Sequence, residues 1–263
     1  MYSSYSLSER LVLVHFLAVQ LLLIRSVSSL NLTNAYLHHK CLVNQGNYKP
    51  GSEYEKNLNF LIRSISTENF KSGFEGLSFG EGSSRVAIRF LCRGDSYGSI
   101  CFPCYATAVA GLRRRCERNK AGIIWYDQCF LEVSNIEIPV PRKIDQENSF
   151  SMHNPSNVNG DIQSFNKKTE DFLYSLIPIA TRSPGAGNEP IFYAAGETML
   201  GTKKLYAMVQ CTKDIAVCKG CLEWSIGQLS KCCVGKQGSR VLSTTCNLRY
   251  ELYPFMREDL KPV

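Results

Sequence analysis

Histidine is scarce in this 263-residue chain, with four in all: His15 in the N-terminal leader, then His38, His39 and His153. That leaves Cys–His and other imidazole chemistry without a framework. Charge is thin at 20% and spread out, with +3 over residues 30–137, +3 over 138–263 and +1 in the leader, for a net +7. A nucleic-acid binder needs a concentrated basic face, so that class is excluded. No stretch after the leader is apolar enough to span a bilayer, and the chain stops at Val263 with no tail for a lipid anchor. No cofactor motif is present, no pair of carboxylates is marked by its spacing, and nothing demands an enzyme. A mean hydropathy of −0.14 with 44% hydrophobic and 11% aromatic residues excludes a disordered chain and leaves enough apolar surface for one large or two ordinary cores.

Residues 11–24, LVLVHFLAVQLLLI, form one apolar run, stopped by Arg25 and followed by the small residues Ser28 and Ser29. The run is too short for a span and has the form of a signal peptide covering 1–29, so the mature protein is expected to be secreted. In an oxidising compartment the twelve cysteines are expected as disulfides, and Asn31-Leu32-Thr33 is a glycosylation sequon.

The cysteines also show that the chain is written twice. Cys92, Cys101, Cys104, Cys116 and Cys129 are separated by steps of 9, 3, 12 and 13, and Cys211, Cys218, Cys221, Cys233 and Cys246 by 7, 3, 12 and 13. From Cys101 onward a constant offset of 117 relates the halves. The helical stripe Tyr105, Val109, Leu112, Cys116 maps onto Leu222, Ile226, Leu229, Cys233. An earlier helix buries Tyr54, Leu58, Leu61, Ile62 and Ile65 behind a Ser52/Glu55 capping box. Its counterpart is expected from Asn166, burying Phe172, Leu173, Leu176 and Ile177 and ending at Pro178. Strand patterns at 85–92, 123–133, 191–195, 205–211 and 240–255, without a βαβ alternation, indicate an α+β fold with antiparallel sheets. The expected division is a first domain at 30–137, a Pro-, Asn- and Ser-rich linker at 138–160, a second domain at 161–258 and a tail at 259–263.

Cys101-Phe102-Pro103-Cys104 has the form of a redox-active turn. Its equivalent, Cys218-Lys219-Gly220-Cys221, lacks the proline, and ten other cysteines compete for pairing. A zinc site on His38, His39 and Cys41 meets the same objection, because thiols oxidise in this compartment.

The Cys92-x8-Cys101-x2-Cys104 pattern resembles the signature of the plant ginkbilobin-type, or salt-stress-response/antifungal, domain. The segment from Gly238 to Val241 and from Cys246 to Phe255 resembles that domain's C-terminal strands. Two such domains behind a signal peptide resemble the cysteine-rich repeat secretory proteins, and also the ectodomains of cysteine-rich receptor-like kinases and plasmodesmata-located proteins. The resemblance implies two tandem domains, each a five-stranded antiparallel sheet packed with two helices. It also implies the bridges Cys41–Cys116, Cys92–Cys101, Cys104–Cys129, Cys211–Cys218 and Cys221–Cys246. Cys41 has no match in the second repeat, where the offset lands on Val158. For Cys232 and Cys233 a vicinal bridge, a shuffled pairing and free thiols all stay open.

Some family members bind mannose through an Asn, an Arg and a Glu. Those positions hold Leu42, Ile123 and Ser134 in the first repeat, while the second keeps only Arg240 and Glu251. The alternative for Arg240 and Glu251 is a cross-strand ion pair on a solvated sheet face. The dense basic cluster Arg113-Arg114-Arg115, Arg118, Lys120 fits either a solvated helix end or a surface that docks acidic wall polysaccharide or a negative membrane. The reading that follows is a non-enzymatic protein of the plant extracellular space, the apoplast, with a role in stress or defence. It binds a protein or receptor ectodomain through the sheet faces or the cleft between domains. The other class of partner is a cell-wall or fungal glycan of mannose type, held by Arg240 and Glu251.

Overall fold

Two antiparallel sheets of five strands, each covered on one face by two helices, make up the fold in the computed structural model, which describes residues 34–182 and 191–257. The signal-peptide region, the sequon at Asn31 and the C-terminal tail lie outside the described residues. In the first domain, helix α1 (Glu53–Ser66) starts at Ser52, whose hydroxyl accepts from the Glu55 amide at 3.4 Å. The Glu55 carboxylate reaches the amide of Gly51 (2.6 Å), one residue earlier than in a standard capping box. Helix α2 (Phe102–Arg115) carries Pro103 in its first turn, where a missing N–H costs nothing. The strands are β1 (Tyr36–Cys41), β2 (Phe74–Phe79), β3 (Val86–Cys92), β4 (Gly122–Tyr126) and β5 (Cys129–Ser134), in the order β1-β4-β5-β3-β2.

The second domain repeats this plan with β6 (Phe150–His153), helix α3 (Ile162–Thr181), β7 (Tyr193–Leu200), β8 (Lys203–Cys211), helix α4 (Cys218–Cys232), β9 (Gly238–Leu242) and β10 (Cys246–Glu251), in the order β6-β9-β10-β8-β7. The α3 helix starts four residues before the expected Asn166, capped by Asp161, whose carboxylate accepts from the Ser164 amide at 3.0 Å. It also continues through Pro178. Pro178 and Tyr174, four residues back, are both exposed, so the carbonyl that loses its partner faces water, while Leu176, Ile177 and Ala180 keep that turn buried. The span expected as linker ends in a strand: Phe150–His153 pairs along β9, because Phe150 and Met152 alternate inward with exposed Ser151 and His153. Arg142 is fixed as well, its amide donating to the Asp214 carbonyl (2.7 Å) and its carbonyl accepting from the Ala216 amide (2.8 Å).

Each domain has its own core between helices and sheet. Leu58, Leu61, Ile65, Ile88, Phe90, Tyr105 and Leu131 anchor the first, and Leu173, Leu176, Leu205, Leu222, Ile226 and Leu248 the second. Five disulfides tie these layers, Cys41–Cys116, Cys92–Cys101, Cys104–Cys129, Cys211–Cys218 and Cys221–Cys246, and a sixth, Cys232–Cys233, joins neighbours at the end of α4. Cys101 and Cys104 therefore pair with different strands and not with each other, and the Cys41 thiolate is unavailable to a metal.

Candidate functional site

Period-two alternation gives each sheet a second apolar face with no helix on it. In the first domain that face carries Leu91, Ile123, Trp125 and Phe130, and against it pack Phe150 and Leu242 of the second domain. Trp125 is 2% exposed, and its indole N–H donates to the Ser243 carbonyl at 3.4 Å. The Gln210 side chain donates to the Cys92 carbonyl (2.9 Å), and His38 lies 4.5 Å from the Phe150 ring. Gly94 permits the approach at one end of this seam, because a Cβ there would overlap the buried ring of Tyr193. The bare faces are thus buried against one another. The sheet faces and the cleft between domains, expected as binding surfaces, are internal, since two apolar faces in one chain cover each other before they meet a partner.

Two charge clusters are built into the seam. In one, Arg89 on β3 donates through Nε and Nη2 to the two oxygens of Asp214 (2.7 and 2.8 Å) and through Nη1 to Glu132 (2.6 Å). Glu132 also accepts from Arg142 (2.9 Å). Burial opposes the Arg89 charge, but Glu132 and Asp214 outweigh it and hold the guanidinium pKa above its ordinary value. In the other, Asp127 accepts from Arg93 (2.8 Å), Arg240 and Arg249 (3.2 Å). Burial raises its pKa and the three guanidiniums lower it more, so Asp127 titrates below the usual carboxylate range.

This second cluster takes up both residues of the expected sugar site. Arg240 stands opposite Arg249 in the ladder and bonds to Asp127. Glu251 stands opposite Gly238, is buried, and accepts from Arg249 Nε at 3.1 Å. The expected Arg240–Glu251 pair on a solvated face is not formed, because that face is the domain seam and each side chain has a nearer partner within it. In the first domain Ile123 is part of the seam, and the Ser134 hydroxyl donates to the Gln45 side chain at 2.9 Å.

What remains open lies at the sheet edges and helix ends. The edge strand β2 has four of its six residues exposed, Gly76 to Phe79, and the exposed rings of Phe60 on α1 and Phe79 lie 4.7 Å apart. Beside β2 a groove of about 320 Å³ is bordered by Phe74, Leu77, Ala87, Arg89, Val140 and Asp214. Among large apolar side chains Val140 is unusually open, at 72% exposure. At the end of α2, Arg113, Arg114 and Arg118 are exposed.

The salt stress response/antifungal family model matches residues 40–136 and 151–253, one copy per sheet. The chain belongs to the salt stress response/antifungal family. It is 65% identical over 257 residues to cysteine-rich repeat secretory protein 37 of Arabidopsis thaliana and 63% identical over 257 residues to cysteine-rich repeat secretory protein 32, covering 98% of this chain and all of each relative. In three dimensions it is similar to the tandem DUF26 ectodomain of the Arabidopsis thaliana cysteine-rich receptor-like protein PDLP8, with a TM-score of 0.68 at 22% identity, over 83% of this chain and 98% of that one. That likeness concerns the fold. Like its secretory relatives, this family member is a secreted protein, and among the described residues no helix is long and apolar enough to cross a membrane.

Proposed function

We propose that the protein acts in the extracellular space without turnover, by binding another protein of receptor-ectodomain type along the β2 edge of its first sheet. The observation that carries this reading is the edge itself. An outer strand offers unpaired backbone donors and acceptors, and proteins shield such strands with lysine, proline or a covering loop. Here β2, Phe-Glu-Gly-Leu-Ser-Phe, has neither lysine nor proline, and it leaves Leu77 and Phe79 exposed beside Phe60 and the groove under Val140. An extended segment of a partner laid along β2 would take backbone hydrogen bonds from the strand and bury alternate apolar side chains. The fold neighbour being an ectodomain of a receptor-like protein supports the same class of partner.

The test is biolayer interferometry of the mature protein against a panel of extracellular receptor domains, with Leu77→Asp and Phe79→Asp compared with the parent. Both side chains are exposed, so both variants should fold. The reading requires an ectodomain bound by the parent and lost by both variants, and a partner held equally by all three proteins would refute it.

A further inference from the structure

The basic residues at the end of α2 are not explained by the fold, and the second repeat supplies the control. With the offset of 117, Arg113, Arg114, Arg115, Arg118 and Lys120 correspond to Ser230, Lys231, Cys232, Gly235 and Gln237. The same helix, in the same position against the same kind of sheet, ends with two cations, Lys231 and Lys236, in place of five. One lysine suffices to complement the helix dipole.

The backbone adds a second anomaly. Arg118 has a φ of +58°, and its counterpart Gly235 has +69°. A left-handed residue after a helix is ordinarily glycine, and a side chain with a Cβ there is strained. The first domain therefore carries an arginine where its own repeat shows that glycine serves.

Among the described residues, these cations are mostly free of carboxylates. Arg113 leans on the Asn59 side chain, Lys120 donates to the Ser83 carbonyl at 2.9 Å, and Arg118 meets only Glu117 at 3.8 Å. Arg115 stacks on Tyr36, 3.9 Å from the ring centroid, and its buried Nη1 has no hydrogen-bond partner. Beside it, His39 has its pKa lowered by burial, Arg115 and His38, so it adds no further cation to the ridge.

We infer that this ridge is a binding site for a linear polyuronate, a polysaccharide with a carboxylate on each sugar. Guanidinium groups are suited to planar carboxylates, which they grip through two parallel bonds. The compartment favours a glycan over a membrane, because the anionic lipid surface is that of the cytoplasmic leaflet, which a secreted protein does not face. The ridge lies on the helix side of the first domain, away from the sealed seam.

The experiment measures binding of oligogalacturonate by isothermal titration calorimetry, with a neutral oligomannoside as the comparison. Arg113→Ser/Arg118→Gly carries the residues that the second repeat holds, so it should fold and melt no lower than the parent. The parent should bind oligogalacturonate and not oligomannoside, with affinity falling as salt is raised to about 0.15 M. The double variant should bind about tenfold more weakly, as expected for two charge-assisted contacts. Lys167→Ser/Lys168→Ser, on the exposed face of α3, should bind like the parent. The inference is overturned if the parent ignores oligogalacturonate, if the ridge variant binds as well as the parent, if the α3 variant is weakened equally, or if phosphatidylserine vesicles are bound in its place.

Discussion

Arg89 and Asp214, 125 residues apart, face each other across the domain seam through two parallel hydrogen bonds of 2.7 and 2.8 Å, with both side chains nearly closed to solvent. A buried ion pair of this kind contributes little over an apolar substitute, but removing one partner strands the other charge. Arg89→Ala leaves Asp214 and Glu132 without their principal partner. It should cost about 3–5 kcal/mol in urea unfolding, and an unchanged midpoint would mean that the pair is solvated.

Gly94 tests the closeness of the same seam by shape alone. Its φ is not left-handed, so alanine brings no backbone penalty, only a methyl group driven into the Tyr193 ring. Gly94→Ala should destabilise by about 1–3 kcal/mol. In a double-mutant cycle with Tyr193→Ala the two costs should be clearly non-additive, because the methyl group then has room.

Acid should act late. Asp127 and Asp145 both titrate below the usual carboxylate range. Burial works against each, but Arg240, Arg93 and Arg249 outweigh it at Asp127, and Thr244, Asn148 and Arg142 outweigh it at Asp145. A depressed folded-state pKa contributes stability that is complete above the unfolded value, about 3.9, and is lost as pH falls through the folded value. Melting temperatures followed by circular dichroism should carry no loss from these two groups down to about pH 4 and fall below it. Asp127→Asn should flatten that acid limb as well as lower stability at neutral pH.

The disulfides should differ in weight. Cys41–Cys116 closes 75 residues and Cys232–Cys233 joins neighbours. On chain entropy the first contributes about 4 kcal/mol and the second under about 1 kcal/mol. Replacing each pair by serines and comparing urea midpoints measures this directly. Equal costs would show that chain entropy does not set the order.

The helices and central strands were legible in the sequence because each buries a repeating apolar stripe, but 123–133 and 240–255 read as single segments and each is a hairpin of two strands. The strands that escaped were β1, β2 and β6, all at sheet edges, where one side of the ladder faces solvent and sequences such as Tyr-Leu-His-His-Lys-Cys show no clean alternation. The strand β6 lies within the span read as linker for the same reason. The seam was illegible for a different one. The ion pairs that cross it join residues more than a hundred positions apart and break the repeat, since Asp127 corresponds to Thr244 and Arg240 to Ile123. The basic ridge was visible as composition, but only Gly235 in the folded second repeat shows that Arg118 is not needed for the turn.

The bare faces of the two sheets are sealed together, and both proposed binding surfaces lie outside that seam. Trp125 sits in that seam, and Trp224, half-buried on α4, is the only other tryptophan. In a Trp224→Phe variant the remaining emission reports the seam alone. The prediction is that acrylamide and iodide quench Trp125 weakly in the native protein and strongly only after urea unfolding. Efficient iodide quenching with the native circular dichroism spectrum intact would show the faces open to solvent and contradict it.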